Sequence, residues 1–202
     1  MTEAPARCGW ANGEPAYLAY HDREWGRPEG NETKLLEKLC LEGFQSGLSW
    51  ATILRKREGF REAFAGFEAE RMAGFGEAEV ERLLGNPGIV RHRAKILAAI
   101  GNARALRAMH EKGESLAALA WSFEPPPEER PAAMTADWLR ANPISPRSAA
   151  LSKALKAKGF AFVGPTTCYA FMQSEGIVND HLDTCFCRAG CEAEREAFIR
   201  PK

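Results

Sequence analysis

Apolar residues recur along this chain with a helical rather than a strand period. Leu35, Leu36, Leu39 and Cys40 form a stripe that predicts a helix from about Thr33 to about Gly43. Pro15 is suited to open an earlier helix, and Gly26 with Pro28 to stop it. Further helices are predicted near residues 50–65, 77–85, 91–110, 148–158 and 166–175. No run alternates apolar and polar residues between hairpin turns, so the expected class is all-α. Residues 122–148 break the pattern. They hold six of the twelve prolines and read as a long, partly extended connection. The charged tail after Cys191 is expected to fray or to form a short helix.

The 202 residues suit one domain over 1–202 with a real core, its helical body running from about 30 to 175. No stretch approaches the ~20 apolar residues of a membrane span. Met1 to Cys8 lacks the apolar core of a signal peptide, so a cytoplasmic location is expected. The formal net charge of zero argues against a non-specific nucleic-acid coat protein. Its distribution matters more. Arg91, Arg93, Lys95, Arg104 and Arg107 lie in an acid-free stretch, as do Arg147, Lys153, Lys156 and Lys158. Each stretch is either a solvated helix face or a surface that meets nucleic acid.

Six cysteines in a cytosolic chain point to a metal site or to buried free thiols rather than to disulfides. Twelve residues separate Cys8 from His21, and three separate His181 from Cys185. If residues 181–185 are helical, that second pair shares one face at i and i+4. Two imidazoles and two thiolates make a tetrahedral zinc set with no open position, which is a structural site. Such a metal would clasp the two ends of the chain, about residues 7–26 and 176–190. The alternative is buried thiols beside ordinary histidines, and Cys187 and Cys191 are near enough to compete as ligands.

Glu42 lies seven residues after Leu35 and three after Leu39, on the apolar face of its helix. A carboxylate there needs a partner. It is either bonded to a helix terminus or an arginine, or held in a pocket to read a polar ligand. Trp10, Tyr17, Tyr20, Trp25 and Trp50 are five of the eight Trp and Tyr residues, all within the first quarter of the chain. They are either plain core or the wall of a slot for a flat ligand. Around Lys158-Gly159-Phe160-Ala161-Phe162-Val163-Gly164-Pro165-Thr166, one helix ends, a short apolar turn follows and another helix begins. This is the pattern of a helix-hairpin-helix motif, which makes Lys158, Gly164 and Thr166 candidates for phosphate contact.

Six ordered segments together resemble the 3-methyladenine DNA glycosylase I family of bacterial helix-hairpin-helix glycosylases. They are Arg7-Cys8-Gly9-Trp10, Tyr20-His21-Asp22 with Glu24-Trp25-Gly26, and Leu41-Glu42-Gly43 with Gly47-Leu48-Ser49-Trp50. The others are Arg91-His92-Arg93-Ala94-Lys95, Phe162-Val163-Gly164-Pro165-Thr166 and Val178-Asn179-Asp180-His181. The resemblance implies an all-α, helix-hairpin-helix DNA glycosylase-like bundle whose ends are tied by one structural zinc. It implies Cys8, His21, His181 and Cys185 as zinc ligands, and Glu42 and Tyr20 as hydrogen-bond partners of the excised base. Trp50 would stack on that base, with Trp10, Tyr17 and Trp25 completing the pocket. Phe44 departs from the family pattern, where a glutamine is expected, and the Cys185-Phe186-Cys187 run also differs.

The activity implied is excision of 3-methyladenine from double-stranded alkylated DNA by a monomer. The base would be flipped into the pocket, with Glu42 opposing the positive charge that alkylation leaves on it. No lysine lies in the pocket segments to form a Schiff base, so a monofunctional enzyme is expected. Asp180 is either the aspartate that some helix-hairpin-helix glycosylases place after the hairpin, or a partner of His181. Two other readings compete. One is a non-enzymatic helix-hairpin-helix DNA-binding zinc protein, and the other is a zinc hydrolase, which four protein ligands disfavour.

Overall fold

The computed structural model describes residues 6–11 and 13–202, and among them it is helical with no strand. Most of Met1–Cys8, on which the expectation about a signal peptide falls, lies outside the described residues. Helix α1 spans Pro15–Arg23, α2 Glu32–Gln45, α3 Trp50–Arg55 and α4 Arg57–Ala63. Then come α5 (Ala69–Ala73), α6 (Glu77–Gly85), α7 (Arg93–His110) and α8 (Leu116–Trp121). Helices α9 (Ala136–Ala141), α10 (Pro146–Ala157), α11 (Pro165–Ser174) and α12 (Arg188–Ala197) complete the chain.

Local chemistry sets many of the starts. Prolines occupy the first turn of α1, α10 and α11, where a missing N–H costs nothing. Asn31, Ser49, Ser115, Thr135 and Ser145 accept backbone N–H groups at the starts of α2, α3, α8, α9 and α10. The helix expected over 50–65 breaks in two at Lys56, whose ψ of 0° leaves the helical range.

Helix α2 is more than a one-sided amphipathic helix. Every residue from Lys38 to Phe44 is buried, with Leu35, Leu36, Leu39 and Leu41 fully so. It is packed by α11, α7, α3 and α8, which makes it the central strut. Each fully buried leucine is worth about 1.5–3 kcal/mol. The polar residues of α2 that share this burial, Lys38 and Glu42, are therefore the costly ones.

The proline-rich connection and the tail are both anchored to the helical body. The proline-rich connection contains a 3-10 turn at Pro127–Glu129 and helix α9, and it is tied down rather than merely extended. Met134 donates its N–H to the Asp183 carboxylate, and its carbonyl accepts from Asp183 N–H, both at 3.0 Å. Of the two outcomes expected for the tail, the short helix is the one taken: α12 buries Cys191 and Arg195, and Arg195 pairs with Glu124.

The N-terminal segment crosses the end of α11 where two glycines meet it. Gly26 (φ +82°) donates its N–H to the Ser174 carbonyl at 3.1 Å, and a Cβ there would touch the His181 ring at 3.0 Å. Gly176 (φ +66°) passes so close to the Arg27–Pro28 peptide that a Cβ would lie 2.5 Å from the Arg27 carbonyl carbon. Gly101 is the opposite case, a mid-helix glycine of α7 where an added Cβ would meet nothing within 4 Å. Gly176→Ala is expected to lower stability by about 3 kcal/mol, from clash plus left-handed strain. Gly101→Ala is expected to raise it by about 0.5–1 kcal/mol. Denaturant midpoints of the two variants check both signs.

Candidate functional site

A cavity of about 170 Å³ opens between α1, α2, α3 and α11, lined by Trp10, Tyr17, Tyr20, Trp25, Glu42, Gln45, Trp50, Ala170 and Gln173. It is smaller than the roughly 300–1,000 Å³ of drug-sized sites and suits one flat ring system. Tyr17 and Tyr20 share a face of α1. Trp25 lies beyond the helix and returns through a turn closed by its own N–H to the Tyr20 carbonyl at 3.0 Å. Trp10 packs against Tyr17 and Trp25 with ring centroids 5.4 Å and 5.0 Å apart, and Tyr20 lies 5.3 Å from Trp50. All five aromatic residues singled out from the sequence therefore meet at one cavity. The Trp50 indole N–H is buried without a hydrogen-bond partner among the described residues.

Glu42 enters the cavity from α2. It is 6% exposed, and no hydrogen bond to its carboxyl occurs among the described residues. The alternative of a carboxylate bonded to a helix terminus or an arginine is thus not realised. Burial pushes its pKa up to about 8, against the opposing pull of Lys38. The free protein accordingly holds Glu42 protonated at neutral pH. Phe44 is explained as well. It turns away into the core, 4.6 Å from Phe60 and 5.8 Å from Phe64, and the amides at the cavity are those of its neighbour Gln45 and of Gln173.

One buried group escaped the sequence reading. Lys38, one helical turn before Glu42, is 8% exposed, donates to the Tyr20 hydroxyl at 3.1 Å and lies 3.8 Å from the Glu175 carboxylate. Its position four residues before Glu42 on the same face was the available signal. Burial also raises Glu175, to about 7. Asp180 is fully buried and accepts from Tyr169 Oη and Gln173 Nε2, both at 2.8 Å, and pairs with Arg130. It does not touch the His181 ring, so it is no partner of that side chain.

Cys8, His21, His181 and Cys185 bring their ligating atoms within 4.8 Å of one another, and all four are buried. Residues 181–185 form a turn, not the helix that would set them at i and i+4. The Cys185 N–H bonds to the Leu182 carbonyl at 2.8 Å and folds both side chains inward. Cys185 Sγ lies 3.4 Å from His181 Nδ1 and 3.5 Å from His21 Nε2, and Cys8 Sγ lies 3.6 Å from His181 Nδ1. Tetrahedral coordination with metal–sulfur and metal–nitrogen bonds of about 2.3 and 2.05 Å separates S from N by about 3.6 Å, so the set fits. The outer nitrogens are engaged. His21 Nδ1 is 2.8 Å from Asp22, itself held by Arg7, and His181 Nε2 is 3.0 Å from the Trp25 carbonyl. These contacts turn His21 Nε2 and His181 Nδ1 toward the cluster, where the Cys8 N–H also approaches His21 Nε2 at 3.4 Å. Burial pushes the Cys8 thiol up to about 12 and His181 down to about 4, so without a metal these two side chains are neutral. Cys187 lies on the Asp22 side of the His21 ring, 4.0 Å from Nδ1, where it groups with His21 and Asp22 rather than with the set of four.

The acid-free stretches are only partly free basic faces, because acids from elsewhere in the chain meet several of their bases. Arg93 pairs with Glu77 and Glu81, Arg147 with Glu129 and Lys158 with Glu114. Lys158 is thereby a weaker candidate for phosphate than the exposed Lys153 and Lys156 one face along α10. Gly164 stands at the N-terminus of α11 and Thr166 in its first turn, after a tight turn through Gly159 (φ +96°) and Phe162 (φ +55°). Asn102 clamps that turn, accepting from Ala161 N–H at 2.8 Å and donating to the Ala161 carbonyl at 3.2 Å.

A family model described as methyladenine glycosylase matches residues 10–188. The chain is 50% identical over 185 residues to DNA-3-methyladenine glycosylase 1 of Escherichia coli, covering 91% of this chain and 97% of that protein. It is 47% identical to DNA-3-methyladenine glycosylase of Haemophilus influenzae, covering 90% and 97%. A crystal structure of 3-methyladenine DNA glycosylase I superposes with a TM-score of 0.84 at 51% identity, over 91% of this chain and 100% of that one. The Staphylococcus aureus 3-methyladenine DNA glycosylase I, solved for the basis of its 3-methyladenine recognition, superposes at 0.82 with 33% identity, over 90% and 96%.

The raised Glu42 pKa has a consequence for stability. Between its ordinary 4.5 and about 8 the folded chain holds a proton there that the unfolded chain has lost. Its contribution is therefore complete below pH 4.5 and disappears as pH rises through 8. Glu42→Gln removes that loss. Its melting temperature is expected to match the parent's near about pH 4 and to exceed it increasingly toward about pH 9. Thermal melts of both proteins across that range supply the check.

Proposed function

The chain belongs to the methyladenine glycosylase family, and from that premise we propose that it excises 3-methyladenine from alkylated double-stranded DNA by hydrolysing the N-glycosidic bond. The observation that carries this reading is a buried carboxyl with no protein hydrogen bond among the described residues, inside a ring-lined cavity sized for one base. A module that only binds phosphate needs neither feature.

The target nucleotide leaves the stack at a cost of a few kcal/mol. Alkylation at N3 makes the base cationic and a good leaving group, and aromatic faces favour such a cation by roughly 0.5–2 kcal/mol. Glu42 accepts from the exocyclic amine and is drawn into its ionised form by the base's charge, its proton passing to solvent as the base enters. The unpartnered Trp50 N–H and the Tyr20 hydroxyl remain as donors. When the bond breaks, its electron pair neutralises the base, the sugar becomes an oxocarbenium-like cation, and water adds with loss of a proton. Lys38 lies outside the cavity lining and is engaged by Tyr20, which supports a monofunctional enzyme.

Leu48, 43% exposed in the turn that leads to Trp50, suits the wedge that fills the gap left in the duplex. Helices α10 and α11 with the turn between them act as a helix-hairpin-helix element. The first-turn N–H groups of α11 at Thr166, beside Gly164, take a phosphate. The protein acts as a cytoplasmic monomer of one domain. Zinc is held by Cys8, His21, His181 and Cys185, and supplies structural cross-linking of the two ends of the chain. Four protein ligands leave no water position, which rules against the zinc-hydrolase reading.

One zinc per chain is expected. Cys185→Ser or His21→Ala should lower zinc content and melting temperature together, because the metal's binding energy is folding energy. Cys187→Ser should keep the metal, and elemental analysis beside thermal melts reads both quantities. For the activity itself, release of free 3-methyladenine from methylated duplex DNA is the assay. Glu42→Gln should reduce it about tenfold, the difference between a charged and a neutral hydrogen bond of about 1–2 kcal/mol. Absence of base release by the parent protein would overturn the reading.

A further inference from the structure

Lys38 is the least explained charge in the molecule. Its ammonium is buried on the central helix, outside the cavity lining, and opens instead on a separate crevice shared with Glu175. It lies 4.6 Å from the centre of the Tyr20 ring and 4.9 Å from that of Trp50, and it donates to the Tyr20 oxygen at 3.1 Å. Glu175 at 3.8 Å is its close counter-charge. A buried lysine costs several kcal/mol unless its surroundings repay it, and a leucine or methionine would fill the same space without that cost.

Two electrostatic effects follow from this placement. The Tyr20 oxygen already accepts a hydrogen bond from Lys38, so its own O–H is the group left to turn toward a ligand, as a donor. Donation into that oxygen also polarises the O–H and strengthens it toward an acceptor. Second, the ammonium against both rings spends part of their attraction for a cation. A cationic base in the cavity meets a second positive charge through the aromatic wall.

We infer that Lys38 is a positioning residue for glycosidic cleavage, acting through Tyr20 and Trp50 to favour the neutral departing base over the cationic base of the substrate. The inference rests on the reading of the cavity as the 3-methyladenine site. In the substrate the positive charge is on the base. As the carbon–nitrogen bond breaks, both of its electrons pass to the base and the positive charge passes to the sugar. Lys38 opposes the starting charge distribution and, through the Tyr20 O–H, stabilises the electron density that the base gains. It touches no reacting atom, and the effect belongs to the cleavage step rather than to binding. Glu42 acts in the complementary direction, holding the cationic base in the cavity before the bond breaks.

Lys38→Met separates this role from a structural one. With DNA treated by a methylating agent, single-turnover release of 3-methyladenine should slow about tenfold, the scale of one charge-assisted hydrogen bond. The DNA concentration for half-maximal rate should stay constant or fall, since a repulsive charge has been removed. Affinity for free 3-methyladenine, read by quenching of tryptophan fluorescence, should drop with the rate. Lys38→Arg should restore much of the rate. The double variant Lys38→Met/Glu175→Gln removes the unpaired carboxyl that the single change leaves, and it should show the same split in a chain that folds as well as the parent. A weaker half-saturation with unchanged maximal rate, or parent-like values for both in the double variant, would overturn the inference. Failure of the parent to release 3-methyladenine at all would instead remove the reading on which it stands.

Discussion

The cavity depends on the meeting of two distant parts of the chain, residues 8–26 and 174–185. Cys8 and His181 are 173 positions apart, yet their ligating atoms lie 3.6 Å from each other. The segment pinned there carries Trp10, Tyr17, Tyr20 and Trp25, most of the aromatic wall. Gly26 and Gly176 permit the crossing, since a Cβ on either would strike the opposing backbone or the His181 ring. Without that approach α1 has little to hold it. Only Tyr20 and His21 of α1 are buried, and a nine-residue helix is marginal alone. A cation of fitting geometry at the Cys/His cluster would turn its four buried ligands into a cross-link, supplying what apolar burial does not.

Polarity on the central helix is the second organising feature. Glu42 and Lys38 sit one turn apart on a helix whose other buried positions are apolar, and Glu175 closes the group from the end of α11. The two carboxyls are both pushed upward in pKa by burial, and Lys38 between them pulls each back down. Such sites commonly trade stability for function. The neighbouring hydrophobic packing bears that cost. Phe44, Phe60, Phe64 and Phe67 stack in series on the other side of α2, with successive centroids 4.6–6.2 Å apart.

The surface shows how far charge counting along a chain can mislead. Stretches without acids looked basic because charge was counted along the sequence. In the fold Glu77, Glu81, Glu114 and Glu129 come from other elements to pair with Arg93, Lys158 and Arg147. What remains for an anionic partner is narrower and includes the exposed Arg91, Lys153 and Lys156. Exposed pairs contribute little to stability, but they do cancel the local field.

The all-helical class, the ends of most helices, the four Cys and His residues and the aromatic cluster were legible in the sequence, because each depends on local rules. Apolar period, proline and capping positions, and the chemistry of thiolates and imidazoles act over a few residues or by residue type alone. The recognition of six ordered segments added the assignment of those residues to roles. Local rules failed where a side chain's partner is far away in the chain. They could not tell that Glu42 lacks a hydrogen bond, that Phe44 faces the core while Gln45 faces the cavity, or that Lys38 leans on Tyr20 and Trp50. Nor could they show that a turn rather than a helix brings His181 and Cys185 together. The cost of a buried charge is set by what surrounds it on every side. For Glu42 and Lys38 those surroundings come from α1, α3 and α11, so only the packed tertiary structure decided which charge is paired and which is left for a ligand.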